Sequence, residues 1–337
     1  MSEFHVVVFE VGKVGKHPNA DSLEISQVMD AYPVIFRTGQ FKQGDKAVFV
    51  PVDALVPLDD PRWEFLKTDD AKTHTRIKAK KLRGIFSMGV LTEADPSWEI
   101  GQNVQEQLRI EKWEPYVAAN TGGENERDPG LPVYTDLEGL RKYKKYLVEG
   151  EDVILQEKVH GANFRAVHMI GKGLSEGDDR LFVGSHNGVK RENSSNIFWK
   201  AALQYNLATK LAAHPNKVFY GEVYGQVQKG FDYGVKPGEI AICFFDIFDP
   251  TIGRYVDFED MEKILAELDL PLAPILYKGP WNENLMETLS NGKTSYPANH
   301  TREGFVVRPA KERWGHVGRI IFKMPGSDYL LTRAKQK

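Results

Sequence analysis

The sequence predicts an α+β protein in two parts: a small β-barrel, then a larger domain of antiparallel sheets with flanking helices. Three observations carry that expectation. Residues 1–111 hold six short apolar runs separated by turn signals, a spacing that suits a small barrel. Residues 112–132, "KWEPYVAANTGGENERDPGLP", are polar, rich in Gly and Pro and without periodicity, which reads as a linker. From 133 to 337, helical and strand patterns mix without the regular βαβ alternation of a doubly wound sheet.

Taken in order, the first strands are "FHVVVFEV", "LEISQVM", "YPVIFRT", "KAVFVPV", "RIKAKKL" and "SMGVLTE", punctuated by "HPNAD", "KQGD" and "LRG". An OB-type Greek key is the natural arrangement, with another small β-barrel as the alternative. Beyond the linker, "TDLEGLRKYKKYL" predicts a helix capped by Thr135 or Asp136, with Leu137, Leu140, Tyr143 and Leu147 at helical spacing. Strands are expected at 152–170, 180–186, 217–224 and 239–248, and helices at 195–212 and 257–268. "GFVVRP" and "RIIFKM" are the last strands.

Composition bounds the function. A net charge of −3 gives no global attraction to nucleic acid, so any such binding must come from local patches. The single cysteine, Cys243, excludes an intrachain disulfide and any multi-cysteine zinc site, which suits a reducing cytoplasm. The apolar run near the N-terminus is too short and too charged for a signal peptide. Nothing approaches the roughly 18 apolar residues of a membrane helix. A soluble cytoplasmic protein is expected, or one of the host-cell cytoplasm if the chain is viral.

The chemistry concentrates around "VILQEKVHGANFRAV". Strand parity puts Ile154, Gln156 and Lys158 on one face, and His160-Gly161 then permits a tight turn before Asn163. A lysine in an apolar strand must snorkel, pair with a carboxylate or perform chemistry. Alone, K-x-H-G is a weak signal. Its company is stronger: Glu222 in "FYGEVYG", Asp246 in "ICFFDIF", Glu303 before "GFVVRP", and Lys323 ending "GRIIFK".

This ordered set resembles the covalent nucleotidyltransferases, which include the ATP-dependent polynucleotide ligases and the mRNA capping enzymes. The likeness is greatest to nick-sealing RNA ligases, whose nucleophile element K-x-H-G-x-N-F stands here as "KVHGANF". "GEVYGQVQKGFDYG" is similar to the same group, and "HPNADSLE", "GQFKQGD" and "KKLRGIFSMGVL" look like the OB domain that precedes the catalytic domain in one subgroup.

The resemblance implies an OB domain at 1–111, a linker at 112–132 and a nucleotidyltransferase domain at 133–337. It also implies a monomer that uses ATP with Mg²⁺ or Mn²⁺ to join RNA 3′-OH and 5′-phosphate ends, with a duplex nick as the expected substrate. Lys158 would attack the α-phosphorus of ATP and carry AMP as a phosphoramidate. An unperturbed lysine is only ~0.04% neutral at pH 7, so the site must favour the free amine. Glu157 would lie at the adenine edge, and Phe245 would stack on the ring, with Phe244 the competing stacker. Glu222 and Glu303 would serve the metal, and Glu222 otherwise the ribose. Lys323 would contact the α-phosphate, with Arg308 a weaker phosphate candidate. His160, Gly161 and Asn163 would shape the nucleophile loop. Gln228 and Lys229 match the extended pattern without an assigned role.

Two departures stand out. Where the family's last element has K-x-K, this chain has Ile321 at the first position, and Arg319, on the same strand face as Ile321 and Lys323, is the expected substitute. Where an arginine often follows the nucleophile element, "VGSHNG" offers His186, with Arg165 or Arg191 as compensation. Lys78, Lys80, Lys81 and Arg83 would contact RNA phosphates or else form a solvated strand. "RKYKK" at 141–145 admits the same two readings. "KHPNADSLEISQV" also looks like tRNA-binding OB modules, so a non-catalytic RNA-binding protein is the competing class. A DNA ligase or capping enzyme is the rival within enzymes.

Overall fold

The computed structural model describes residues 4–69, 71–113, 124–134, 136–172, 178–225 and 227–334. The chain forms two compact units, one of residues 1–116 with 330–337 and one of residues 117–329.

In the first unit, strand Lys46–Val50 lies between Val7–Glu10 and Val90–Glu93, antiparallel to both. Its alternation explains its wholly apolar run "AVFV". Val48 and Val50 enter a core around Trp63, while Ala47 and Phe49 enter a second core with Phe36 and Phe41. A strand buried on both faces has no polar side to show. Val14–Lys16, Leu23–Val28 and Tyr32–Arg37 form an antiparallel meander. The expected strand "RIKAKKL" divides in two because its halves take different partners. His74–Arg76 pairs with Ala54–Pro57, and Lys80–Leu82 pairs with Ile85–Ser87. Arg83 and Gly84 close that hairpin with φ of 45° and 90°, the left-handed pair of a type I′ turn. The "HPNAD" segment braces this hairpin: the His17 ring meets Leu82 O at 3.1 Å and Asn19 Nδ2 donates to Arg83 O at 2.9 Å.

The second unit holds two large sheets and the short strand pair Trp314–Gly315 with Gly318–Arg319. Six strands run in the order Gly188–Val189, Arg180–Ser185, Ala162–Met169, Val218–Gly225, Ile240–Asp249, Arg254–Tyr255. Five run in the order Glu138–Gly139, Phe322–Pro325, Gly304–Pro309, Asp152–Glu157, Ile275–Pro280. Helices Ile197–Gln204, Leu207–Leu211 and Phe258–Glu267 bury their apolar faces on the larger sheet through Phe198, Leu211 and Met261. The chain passes from the smaller sheet to the larger through residues 158–161. Lys158 and His160 therefore sit where the two sheets meet.

Several expectations change. The predicted helix from Thr135 shrinks to Leu140–Tyr143 and a 3₁₀ turn at Lys144–Tyr146, because Glu138–Gly139 pairs in parallel with Phe322–Lys323. Thr135 lies outside the described residues, and Gly139 takes the cap position. The predicted helix 195–212 breaks at Asn206, whose φ is 51°. The last strand begins at Phe322, since Gly318–Arg319 pairs instead with Trp314–Gly315. Residues 114–123 of the expected linker lie outside the described residues. Residues 124–132 are not a free tether. Glu126 N–H donates to Val189 O at 3.0 Å, and Leu131 is buried in the second unit's core. Arg141 and Lys144 of "RKYKK" pair with Glu287 and Glu283 at 3.0 Å, the polar-face reading of that run. Among the described residues, no helix is long and apolar enough to cross a membrane.

Candidate active site

A cavity of about 330 Å³ opens in the second unit where the two sheets meet, at the lower end of the size range of small-molecule sites. Gln156, Glu157, Lys158 and Val159 form one wall, with Glu222, Phe245, His186 and Lys323 among the others. Sequence positions spread over more than half the chain are thus brought to one place.

The turn that delivers Lys158 is held from several sides. The Lys158 N–H donates to Gly304 O at 3.0 Å. The His160 N–H donates to the Tyr233 hydroxyl at 2.6 Å, and the Gly161 N–H donates to Glu222 Oε1 at 2.9 Å. Gln228 Nε2 donates to Gly161 O at 3.2 Å, which gives that residue a place the sequence left unassigned. Gly161 has no room for a side chain, because a Cβ there would lie 2.1 Å from Val223 O. Its glycine is a packing requirement.

Lys158 Nζ lies 3.0 Å from Glu303 Oε1, and His160 Nδ1 lies 3.5 Å from Glu303 Oε2. Burial alone would raise the Glu303 carboxyl, but Lys158 and His160 outweigh it and bring the carboxyl down to about 2. Glu222 goes the other way. Burial, reinforced by the charge of Glu303 and opposed by Lys158, pushes it up to about 7. Burial and then the like charge of Lys158 lower the Lys323 ammonium. Two carboxylates near one lysine are thus driven to different protonation states at neutral pH, a pattern typical of functional sites.

Phe245, not Phe244, lines the cavity. Phe244 is fully buried in the core. The cause is a register shift opposite Tyr220 and Gly221, where Tyr220 faces Asp246 and Gly221 faces Phe244. Phe245 is the extra residue of this bulge, which re-aims its side chain. Tyr134, which the sequence did not single out, packs its ring edge on Phe245 at 5.1 Å and donates its hydroxyl to Asp246 at 2.9 Å.

The arginines expected at phosphates are engaged elsewhere. Arg319 donates to Asp246 Oδ2 at 2.5 Å and to Glu312 Oε1 at 2.6 Å, with its guanidinium over Tyr255. Arg308 donates to Asp246 Oδ1 at 3.0 Å. Arg165 is buried against Leu131 O and Asp128, and Arg191 pairs with Glu124 at the surface. None of the four lines the cavity. The position of the missing lysine is apolar, with Ile321 in the wall, and Lys323 is the cation there with Lys158. In the first unit, Lys80, Lys81 and Arg83 are exposed on the braced hairpin and Lys78 is half-buried.

The sequence matches the family model described as RNA ligase over residues 151–324, which span every element of this cavity from Gln156 to Lys323. The chain belongs to the RNA ligase family. A second family model, described as an OB-fold domain, matches residues 6–94. This ligase-family chain shares its fold with Naegleria gruberi RNA ligase. A lysine-to-alanine variant of that protein with ATP and Mn superposes with a TM-score of 0.82 at 23% identity, covering 98% of this chain and 99% of that one. Its complex with PPi gives a TM-score of 0.81 at 23% identity, covering 99% and 100%. The phenylalanine–tRNA ligase beta subunit of Protochlamydia amoebophila is 39% identical over 92 residues, 26% of this chain and 10% of that protein. The chain thus spans about a tenth of that curated relative's length.

Proposed function

We propose that the protein is an ATP- and divalent-metal-dependent RNA ligase that seals 3′-OH/5′-phosphate RNA ends, with nicks in a duplex as its substrate. The observation that carries this reading is the Lys158 amine, set in a 330 Å³ cavity against a buried carboxylate within a chain of the RNA ligase family. Lys158 Nζ attacks the α-phosphorus of ATP. A P–N bond forms, the P–O bond to pyrophosphate breaks, and the amine proton passes to solvent. A 5′-phosphate oxygen of RNA then displaces the lysine, and the 3′-OH displaces AMP to form the phosphodiester. Glu157 meets the adenine edge, Phe245 stacks on the ring, Lys323 contacts the α-phosphate and His186 stands in the cavity wall beside the nucleotide.

The residues suit a hard divalent ion. Glu303 Oε2 and Asn163 Oδ1 are buried without a hydrogen-bond partner, and an oxygen set of one or two carboxylates completed by phosphates is what Mg²⁺ takes. Glu303 and Glu222 would hold it, and its charge would offset that of the phosphates and favour the neutral Lys158 amine. In the first unit, Lys78, Lys80, Lys81 and Arg83 contact RNA phosphates. After burial, the like charges of Arg76, Lys72 and Lys80 lower the Lys78 ammonium, a sign of concentrated positive potential. The protein acts as a cytoplasmic monomer.

The test is a matched panel of single-stranded ends and duplex nicks with 3′-ribose or 3′-deoxyribose termini. The reading expects sealing of ribose-ended nicks, dependent on ATP and Mg²⁺ and absent in Lys158→Ala. Equal sealing of deoxyribose nicks argues for a DNA ligase, and RNA binding without sealing argues for a binding module.

A further inference from the structure

One loop grips two adjacent residues of the cavity wall. Residues 291–303 join the helix Asn284–Ser290 to the strand Gly304–Pro309. Near the start of this segment, the Thr294 hydroxyl donates to Glu157 Oε1 at 2.5 Å, and the Ser295 N–H donates to Glu157 Oε2 at 2.7 Å. At its end, Glu303 meets Lys158 at 3.0 Å. The loop is braced within itself. Thr294 N–H donates to His300 O at 3.1 Å, Arg302 N–H to Gly292 O at 2.9 Å, and Arg302 Nε to Lys293 O at 3.0 Å. Glu157 is only 2% exposed, and Thr294 7%. A carboxylate held at both oxygens has one orientation, and each oxygen keeps a lone pair for a further donor.

We propose that Thr294 is a positioning residue for base choice, locking the Glu157 carboxylate so that it takes the amino group of adenine and rejects guanine. The proposal rests on the ATP reading above and adds to it the source of nucleotide selectivity. Adenine offers a donor where guanine offers its O6 acceptor. A fixed carboxylate opposite O6 sets acceptor against acceptor in a dry site, which is costly. A carboxylate free to swing could instead reach the N1–H donor of guanine. Orientation, more than charge, decides the preference.

Thr294→Val keeps the shape and removes the donor, while Thr294→Ser keeps the hydroxyl. The full chain is incubated with ATP labelled at the α-phosphate, with unlabelled GTP as competitor, and covalent label is followed. The expected result for Thr294→Val is a KM for ATP raised roughly tenfold, a maximal rate little changed, and GTP competing roughly tenfold better relative to ATP. Thr294→Ser should restore the parent values. A Thr294→Val protein that loses maximal rate but keeps the parent preference for ATP over GTP overturns the proposal, since Thr294 then only supports the fold. A parent protein that takes no label from ATP overturns the underlying reading as well.

Discussion

Two buried acid–base clusters occupy the same unit, and they differ in whether their bonding is complete. Around Asp246, Arg308, Arg319 and Tyr134 all donate to one carboxylate, and Glu312 takes Arg319 from the other side. Burial would raise the Asp246 carboxyl, yet the two arginines outweigh it and hold it below its usual range. This cluster closes on itself and supports the cavity from behind, since Arg308 also donates to Phe245 O at 2.8 Å. Around Lys158, the buried Asn163 Oδ1 has no hydrogen-bond partner, and Glu303 Oε2 has only the His160 ring, 3.5 Å away. Glu222 and Glu303 are driven apart, to about 7 and about 2. Complete bonding marks a structural cluster. Incomplete bonding marks the place where a ligand is expected to finish it.

The largest effect should come from opening the closed cluster. Asp246→Asn leaves two buried guanidiniums sharing the single carboxylate of Glu312 and should cost about 3–5 kcal/mol in denaturant unfolding. Glu303→Gln should cost clearly less, because Lys158 is 28% exposed and can turn to water. Equal losses would break the distinction between the two clusters.

A second effect sharpens it from the catalytic side. Gly161→Ala drives a Cβ against Val223 O and must shift the turn that carries Lys158. A displacement of that kind should lower the rate of covalent labelling by ATP about a hundredfold. Unchanged labelling would mean that the turn does not set the position of the amine.

The smallest effect concerns pH. The Glu222 carboxyl rises from its ordinary 4.5 to about 7 on folding, so the folded state binds the extra proton between those values and stability falls as pH rises through them. Glu303 is depressed to about 2, so its contribution is complete above about 4.5 and is lost as pH falls towards 2. Glu222→Gln should therefore stabilise the protein by about 1–3 kcal/mol at pH 8 and change little at pH 4. Denaturant midpoints at the two pH values check this, and equal shifts at both would remove burial of Glu222 as the cause.

What the sequence made legible were features with a local signature. Lys158, His160 and Gly161 declare themselves in four consecutive residues, and Glu222, Glu303 and Lys323 sit beside glycines or at strand ends. The cavity wall takes in Lys158, Glu222 and Lys323, and Glu303 pairs with Lys158 at 3.0 Å. Arg319 was misread because parity assumes an unbroken strand from Gly318 to Lys323. The chain leaves its short pairing at Arg319 and re-enters a sheet at Phe322, so the alternation does not carry through. The choice between Phe244 and Phe245 depended on a bulge set by the partner strand. Thr294 and Tyr134 carry no motif. They matter because of bonds to residues 137 and 112 positions away in the chain, which only the fold creates. The helix expected from Thr135 lost to strand pairing at Glu138–Gly139, tertiary contact overriding local pattern.

Covalent attachment of AMP to the Lys158 amine is what the proposed ligase chemistry requires. The direct measurement is peptide mass mapping after incubation with ATP and Mg²⁺. The account predicts one added AMP on the peptide carrying Lys158, lost on treatment with pyrophosphate and absent in Lys158→Ala. AMP attached to another side chain, or strand sealing that persists in Lys158→Ala, would contradict it.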